Sequence, residues 1–310
     1  MNATDASRIH PDSAQWTSRS IGSRFGHKVF YLFIRSTGRR GAYFFLYFVV
    51  LFYVFFAPSI RKKADYYLHR RFERKRFLER LMDTYRIYLN LGRALIDRAI
   101  IGILGPDKIH MEFRQRRVLY DLVGEGRGLI LLTAHVGCWQ AAMSTLEALR
   151  VPVHLLLHRE EGDVDLHYFE HAGVRAPYGI IDPKGSMGGV LEMISVLKKG
   201  EVLSLMGDRL LGSRKGATEV DFLGEKALFP YSAYKIAAAI GTPIGVLFSY
   251  KSGPASYSLE LAKVIRVPSD AAKEDRHFRP YVAEFARALE CYTAAHPYQF
   301  FNFYDLWERT

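Results

Sequence analysis

Cysteine is scarce in this chain: Cys138 and Cys291 are its only two, and they form neither a metal-ligand spacing nor a disulfide framework. That excludes a disulfide-stapled scaffold and a cysteine zinc site, and it agrees with a reducing compartment. Internal repeats and low-complexity tracts are absent, so a solenoid or fibrous architecture is excluded as well. Acidic residues are few where the basic ones gather: residues 1–80 hold 16 Lys+Arg against 5 Asp+Glu, while the remaining 230 hold 27 of each. The net charge of +11 therefore lies in the N-terminal quarter. Inside that quarter, residues 41–60 carry no charge of either sign.

That uncharged stretch, Gly41-Ala-Tyr-Phe-Phe-Leu-Tyr-Phe-Val-Val-Leu-Phe-Tyr-Val-Phe-Phe-Ala57 with Pro58-Ser-Ile60, is nearly all apolar or aromatic. As a helix it spans roughly 26 to 30 Å, the thickness of a hydrocarbon core. A buried core helix is the alternative, but so many adjacent Phe and Tyr side chains would then need cover on every side. The stretch also lies too deep in the chain for a cleaved signal peptide. A membrane anchor is the better reading.

Basic residues flank the stretch on both sides: Arg35, Arg39 and Arg40 before it, and Arg61, Lys62, Lys63, Arg70, Arg71, Arg74, Lys75 and Arg76 after it. The larger cluster follows, which by the positive-inside bias puts the folded part in the cytoplasm. Basic residues at both ends equally suit a helix lying in the interface and gripping anionic lipid. Nucleic acid is the competing partner for such a cluster. Beside an aromatic apolar run, lipid headgroups are the simpler explanation, and no nucleic-acid partner is expected.

The chain of 310 residues, 49% hydrophobic and 24% charged, can bury a core. It divides into a loose N-terminus (1–15), membrane-associated helices (16–72) and a catalytic body (73–310). Within the second part, Trp16 to Ser36 suits an amphipathic interfacial helix, broken at Gly38. Phe77, Leu81, Tyr85, Tyr88, Leu91 and Leu95 recur at spacings of three and four, which predicts a long amphipathic helix over 73–104 ending near Gly105-Pro106.

From Ile109 onward the pattern alternates. Strands are expected at 109–113, 129–134, 153–157, 179–181 and 202–206, and helices at 116–123, 139–149, 162–171 and 187–199. Short strands at 218–223 and 226–229 follow, then a helix at 231–240, a strand pair at 243–250 and 256–264, and a final helix at 274–295. Such alternation predicts an α/β fold, a mostly parallel central sheet flanked by helices, with the site at the C-terminal strand ends. His135, Asp182 and Asp208 all fall at such ends.

His135 ends the apolar run Gly128-Leu-Ile-Leu-Leu-Thr-Ala and is followed by Val-Gly-Cys-Trp-Gln140, a strand, a tight turn and a helix start. A histidine there can act as a base near neutral pH, and Gly137 would let a substrate approach the backbone. The open helix N-terminus would favour a developing oxyanion. A turn histidine capping the helix is the alternative. Four residues separate His135 from Gln140, about one helical turn, so the amide could reach back and fix the tautomer of the ring. It could not offset the charge of an imidazolium, which leaves three readings: the reaction tolerates a weaker base, a carboxylate from elsewhere does that work, or the protein is not a catalyst. Cys138, adjacent to this turn, is read as packing.

The strand-end Asp208-Arg209 pair could hold its loop together or present Arg209 to a phosphate or a carbonyl oxygen. Phe222-Leu-Gly224 and Leu228-Phe-Pro230 read as a tight hairpin leading into a helix N-terminus, with an ordinary turn as the alternative.

Together these segments resemble the lysophospholipid acyltransferase superfamily, in its lipid A lauroyl/myristoyl acyltransferase-like branch. The resemblance runs from Trp16 to Trp307 and rests on several motifs in order. They are Gly38-Arg-Arg40 before the aromatic helix, Thr133-Ala-His135-Val-Gly-Cys-Trp139, Gly207-Asp-Arg209, Phe222-Leu-Gly224, Phe229-Pro230 and Phe300-Phe-Asn-Phe-Tyr-Asp-Leu-Trp307. It implies a glycerolipid acyltransferase-like fold at the bacterial inner membrane, with the catalytic domain on the cytoplasmic face. The implied reaction moves a fatty acyl group from acyl carrier protein or coenzyme A to a hydroxyl or amine of a lipid-like acceptor, in lipid A or related outer-membrane lipid biosynthesis. It needs no metal or cofactor.

By position the resemblance implies His135 as catalytic base and Gln140 as its orienter, where the family carries an acid. Asp208, Arg209, Gly137, Phe222, Gly224 and Pro230 become substrate-binding positions. A catalytically silent lipid-binding protein that keeps the fold is the reading from another class.

Overall fold

The computed structural model describes residues 24–73, 76–146, 149–158, 178–210 and 216–308, without the side chains of residues 24–31, 140, 143–145 and 186. The expected helix at 162–171 and the first part of the one expected from Trp16 lie outside the described residues. Among the described residues three helices come first: α1 (Arg24–Phe56), α2 (Pro58–Arg71) and α3 (Phe77–Leu104). Gly38 interrupts α1 with φ 63 and ψ −164, a left-handed conformation open to glycine. Pro58 occupies the first turn of α2, where its missing N–H costs nothing.

The body alternates as expected. It contains β1 (His110–Arg114), α4 (Arg116–Gly124), β2 (Leu129–Thr133), α5 (Trp139–Leu146), β3 (Val153–Leu156), β4 (Gly179–Ile181), α6 (Val190–Lys198) and β5 (Val202–Met206). Then come β6 (Ala217–Phe222), β7 (Glu225–Pro230), α7 (Ser232–Ile240), β8 (Ile244–Gly253), β9 (Ser256–Ile265) and α8 (Arg279–Ala295). Seven strands form one sheet in the order β1-β9-β8-β2-β5-β3-β4. Only the β8–β9 pair is antiparallel; every other neighbouring pair runs parallel. The fold class is α/β, as the alternation predicts.

Strand β2 sits in the middle, and its run of leucine and isoleucine is buried on both faces, as a central parallel strand requires. Ile130 and Leu132 point into one core layer, with Phe248 and Phe285, while Leu129 and Leu131 point into the other, with Leu119 and Leu146. This two-residue period fixes the register, because a slip of one residue would exchange the two layers. The β6–β7 hairpin stands apart as a two-stranded sheet. Its turn residues Leu223 (φ 52) and Gly224 (φ 81) are both left-handed, the twist that a two-residue hairpin loop needs.

Helix α3 joins the N-terminal helices to the body. Ile96 and Ile100 pack against Ile34 and Ala42 of α1, and Leu46 seats against Gly92, where an added Cβ would lie 2.5 Å from it. The other face of α1 is bare: Phe44, Phe48, Phe52 and Phe56 are all more than half exposed, Phe56 to 74%. Residues Leu32–Phe56 form the single described helix long and apolar enough to cross a membrane, with a mean hydropathy of 1.4.

Candidate active site

The carboxyl ends of β2 and β5, paired side by side from Leu129↔Val202 to Thr133↔Met206, carry His135 and Asp208 two residues beyond the sheet. Equal overhang brings the two side chains together. The imidazole Nδ1 lies 2.9 and 3.0 Å from the two oxygens of the Asp208 carboxylate. The backbone N–H of His135 donates to the same carboxylate at 3.2 Å. Asp208 is fully buried, while the His135 side chain keeps 23% exposure. The carboxylate thus holds the ring from beneath while the imidazole still reaches solvent.

Burial and the neighbouring Arg209 guanidinium push the imidazole below the usual histidine value, against the opposing pull of Asp208. For Asp208, burial works to raise the carboxyl, but His135 and Arg209 outweigh it and hold the group below the usual carboxylate range. The resulting state is a carboxylate accepting from the Nδ1–H of a neutral imidazole. Such a ring can accept a proton at neutral pH, and its partner can stabilise the imidazolium that forms.

The turn after His135 is braced from two sides. Gly137, at φ +54, lies against β8, and an added Cβ there would stand 2.1 Å from the Ser249 carbonyl oxygen. The close approach that this glycine permits in the structure is that of β8. Ser249 Oγ accepts from the Cys138 N–H at 3.2 Å and donates to the Val136 carbonyl at 3.3 Å. On the other side the segment Pro297–Phe301 runs along the turn. Val136 bridges Phe300, the Gly137 N–H donates to Gln299 and the Phe301 N–H donates to the His135 carbonyl at 2.7 Å. Arg209 fastens the same segment by donating from Nη2 to the Phe301 carbonyl at 2.7 Å. Cys138 is buried, with its sulfur 3.9 Å from the Ala94 carbonyl of α3, as the packing reading expects.

The other expected binding positions fall elsewhere. Phe222 has no exposed surface and sits among Trp307, Phe229 and Phe300, so its ring supports the site through Phe300 and does not line an opening. Gly224 is at the exposed tip of the hairpin with nothing within 4 Å of an added Cβ. Pro230 ends β7 and pairs with Ala217. These residues shape a hairpin packed on the C-terminal segment. Asp208, expected among the binding residues, stands instead against His135. The Gln140 side chain lies outside the described residues, so its expected role as orienter has no geometry to set beside that of Asp208.

A second histidine–carboxylate contact, His158 Nδ1 to Asp182 Oδ1 at 3.0 Å, stands at the ends of β3 and β4 on the same sheet edge. Among the described residues no cluster of three or more His, Cys, Asp or Glu could hold a metal ion.

No curated protein matches the chain. Residues 25–309 match the model of the bacterial lipid A biosynthesis acyltransferase family, from the apolar helix α1 to the closing Trp307 segment, and the chain belongs to that family.

Proposed function

We propose that the protein is a membrane-bound acyltransferase that moves a fatty acyl group from an acyl carrier protein or coenzyme A thioester to a hydroxyl or amine of a lipid-like acceptor. The observation that carries this reading is the pairing of His135 with buried Asp208 at the carboxyl edge of the sheet. With Nδ1–H donating to Asp208, Nε2 is the nitrogen that takes the acceptor proton. The acceptor oxygen or nitrogen then attacks the thioester carbonyl. Collapse of the tetrahedral intermediate breaks the carbon–sulfur bond, and the departing thiolate takes the proton back from Nε2. Asp208 fixes the tautomer and balances the imidazolium, the part that the resemblance gave to an acid at the position of Gln140. Arg209, near enough to lower the histidine, also favours the oxyanion that develops on the carbonyl.

The bare aromatic face of α1, with basic residues at both ends, supports anchoring at the inner membrane with the body on the cytoplasmic side. Membranes containing the protein should transfer labelled acyl chains from either donor to endogenous lipid, and His135→Ala should abolish the transfer. Undiminished transfer in that variant overturns the assignment of the base. Mass spectrometry of lipid extracts from a deletion strain and its parent should show one acylated species missing, which identifies the acceptor.

A further inference from the structure

The helices with the bare aromatic face are wired to the turn after His135 through a buried carboxylate. Asp97, in α3, has no exposed surface, yet donors from three elements converge on it. From α1 come Arg39 Nε at 3.0 Å and the Tyr43 hydroxyl at 2.7 and 2.8 Å. From β8 comes Lys251 Nζ at 2.6 Å, and from β9 the Tyr257 hydroxyl at 2.7 Å. A buried carboxylate is tolerated only when paired and hydrogen-bonded, so this cluster ties α1 to the sheet through Asp97.

From Lys251 the connection continues to the active-site turn. Gln299 clasps the Lys251 backbone from both sides, its Oε1 accepting from the N–H at 2.7 Å and its Nε2 donating to the carbonyl at 3.2 Å. The Gln299 carbonyl in turn accepts from the Gly137 N–H, two residues past His135. Helix α2 reaches the same segment independently: the Tyr67 hydroxyl donates to the Pro297 carbonyl at 2.8 Å, and its ring meets Phe300 edge-on at 5.1 Å. The strap Pro297–Phe301 thus has the His135 turn on one side and the N-terminal helices on the other.

We propose that Asp97 is a positioning residue for His135, and that seating α1 against the body sets the geometry of the base through Lys251, Gln299 and the strap. The proposal rests on the acyl-transfer reading for its kinetic consequence and on the hydrogen-bond chain alone for its structural one. It gives the buried cluster a part in the reaction: the base is in register when the membrane helices are docked.

The test uses the full chain in phospholipid vesicles, comparing wild type with Asp97→Asn and Glu125→Gln. Glu125 pairs with Arg266 and Arg127 and touches neither the strap nor the turn. In Asp97→Asn, amide hydrogen exchange should quicken about tenfold or more over residues 134–138 and 297–301. Its kcat should fall about ten- to a hundredfold, with KM for the acyl donor within about twofold, because a displaced base slows the chemistry without touching donor binding. Glu125→Gln should match wild type in both readouts. If Asp97→Asn does not fold, Gln299→Leu takes its place, removing the clasp on Lys251 but leaving the Asp97 cluster whole. It should loosen the same two segments with α1 unchanged. Exchange confined to α1 and α3, or an unchanged kcat, overturns the proposal. A wild type that transfers no acyl group overturns the proposed function instead, and the exchange measurement still decides the coupling.

Discussion

Asp208 and Gln140 are the two candidates for one task at His135, and of the two only Asp208 has a described side chain, set against the ring. Nδ1 faces both oxygens of the Asp208 carboxylate, so in the proposed reaction β5 supplies the acid that orients the ring and balances its charge. In a serine-protease triad, replacing the orienting aspartate by asparagine costs about four orders of magnitude in turnover. Asp208→Asn should therefore lower kcat by about 10²- to 10⁴-fold, whereas Gln140→Ala should lower it by less than about tenfold; steady-state kinetics with a labelled donor ranks the two. The pH profile follows from the same pair. The imidazole lies below the usual histidine value, so it stays neutral and competent through pH 7, and the acid limb of kcat/KM should fall below about pH 6.5. Because Asp208 pulls that value upward, its removal should move the limb of the Asn variant to still lower pH. Folded stability follows the same sign: below about pH 6.5 the unfolded chain binds the proton more readily, so the fold loses stability as pH falls. His135 itself was legible in the sequence as a strand-end histidine. Its partner was not, because Asp208 is 73 residues away and becomes adjacent only through the parallel pairing of β2 with β5.

At the scale of elements, the sheet was readable because its strands carry their address in composition. Buried runs such as Leu129–Thr133 and Val202–Met206 are covered on both faces, which together with the helices between them points to a parallel sheet layered on both sides. Contacts between elements were not readable, and Gly137 shows why. Its sequence neighbours give no hint of Ser249, which lies on a strand more than a hundred residues later and presses its carbonyl against the turn. Two glycines with positive φ allow strain and contact to be told apart. Gly224 has open space around it, so Gly224→Ala should cost only the left-handed strain, about 1 kcal/mol. Gly137→Ala adds a clash with backbone that cannot rotate away, and should cost about 3 kcal/mol or more while displacing His135. Denaturant melts of the two variants in detergent give the comparison. Equal midpoints would mean that the turn relaxes without β8, against the bracing described above.

For the whole molecule, charge and apolar surface are separated in a way that makes the membrane contribution testable in two parts. The net charge belongs to the first 80 residues, and the bare aromatic face belongs to α1 within them. Headgroup attraction is screened by salt, with a Debye length near 3 Å at 1 M, whereas burial of aromatic rings in hydrocarbon is not. Anchoring by α1 therefore predicts that the full chain stays with vesicles in 1 M salt. Purely electrostatic adsorption predicts release. The ring that matters can be probed directly, since Phe52 is 58% exposed and Val50 and Val54, its neighbours on the packed face, are buried. Phe52→Asp leaves the α1–α3 interface intact but places a charge where lipid would be, at a cost of about 3 kcal/mol, roughly a hundredfold in partitioning. Flotation with vesicles should then show the variant largely in the soluble fraction at 1 M salt and partly recovered on anionic vesicles at low salt. If it floats as wild type does in both, Phe52 faces something other than lipid, and the bare face of α1 needs a different occupant.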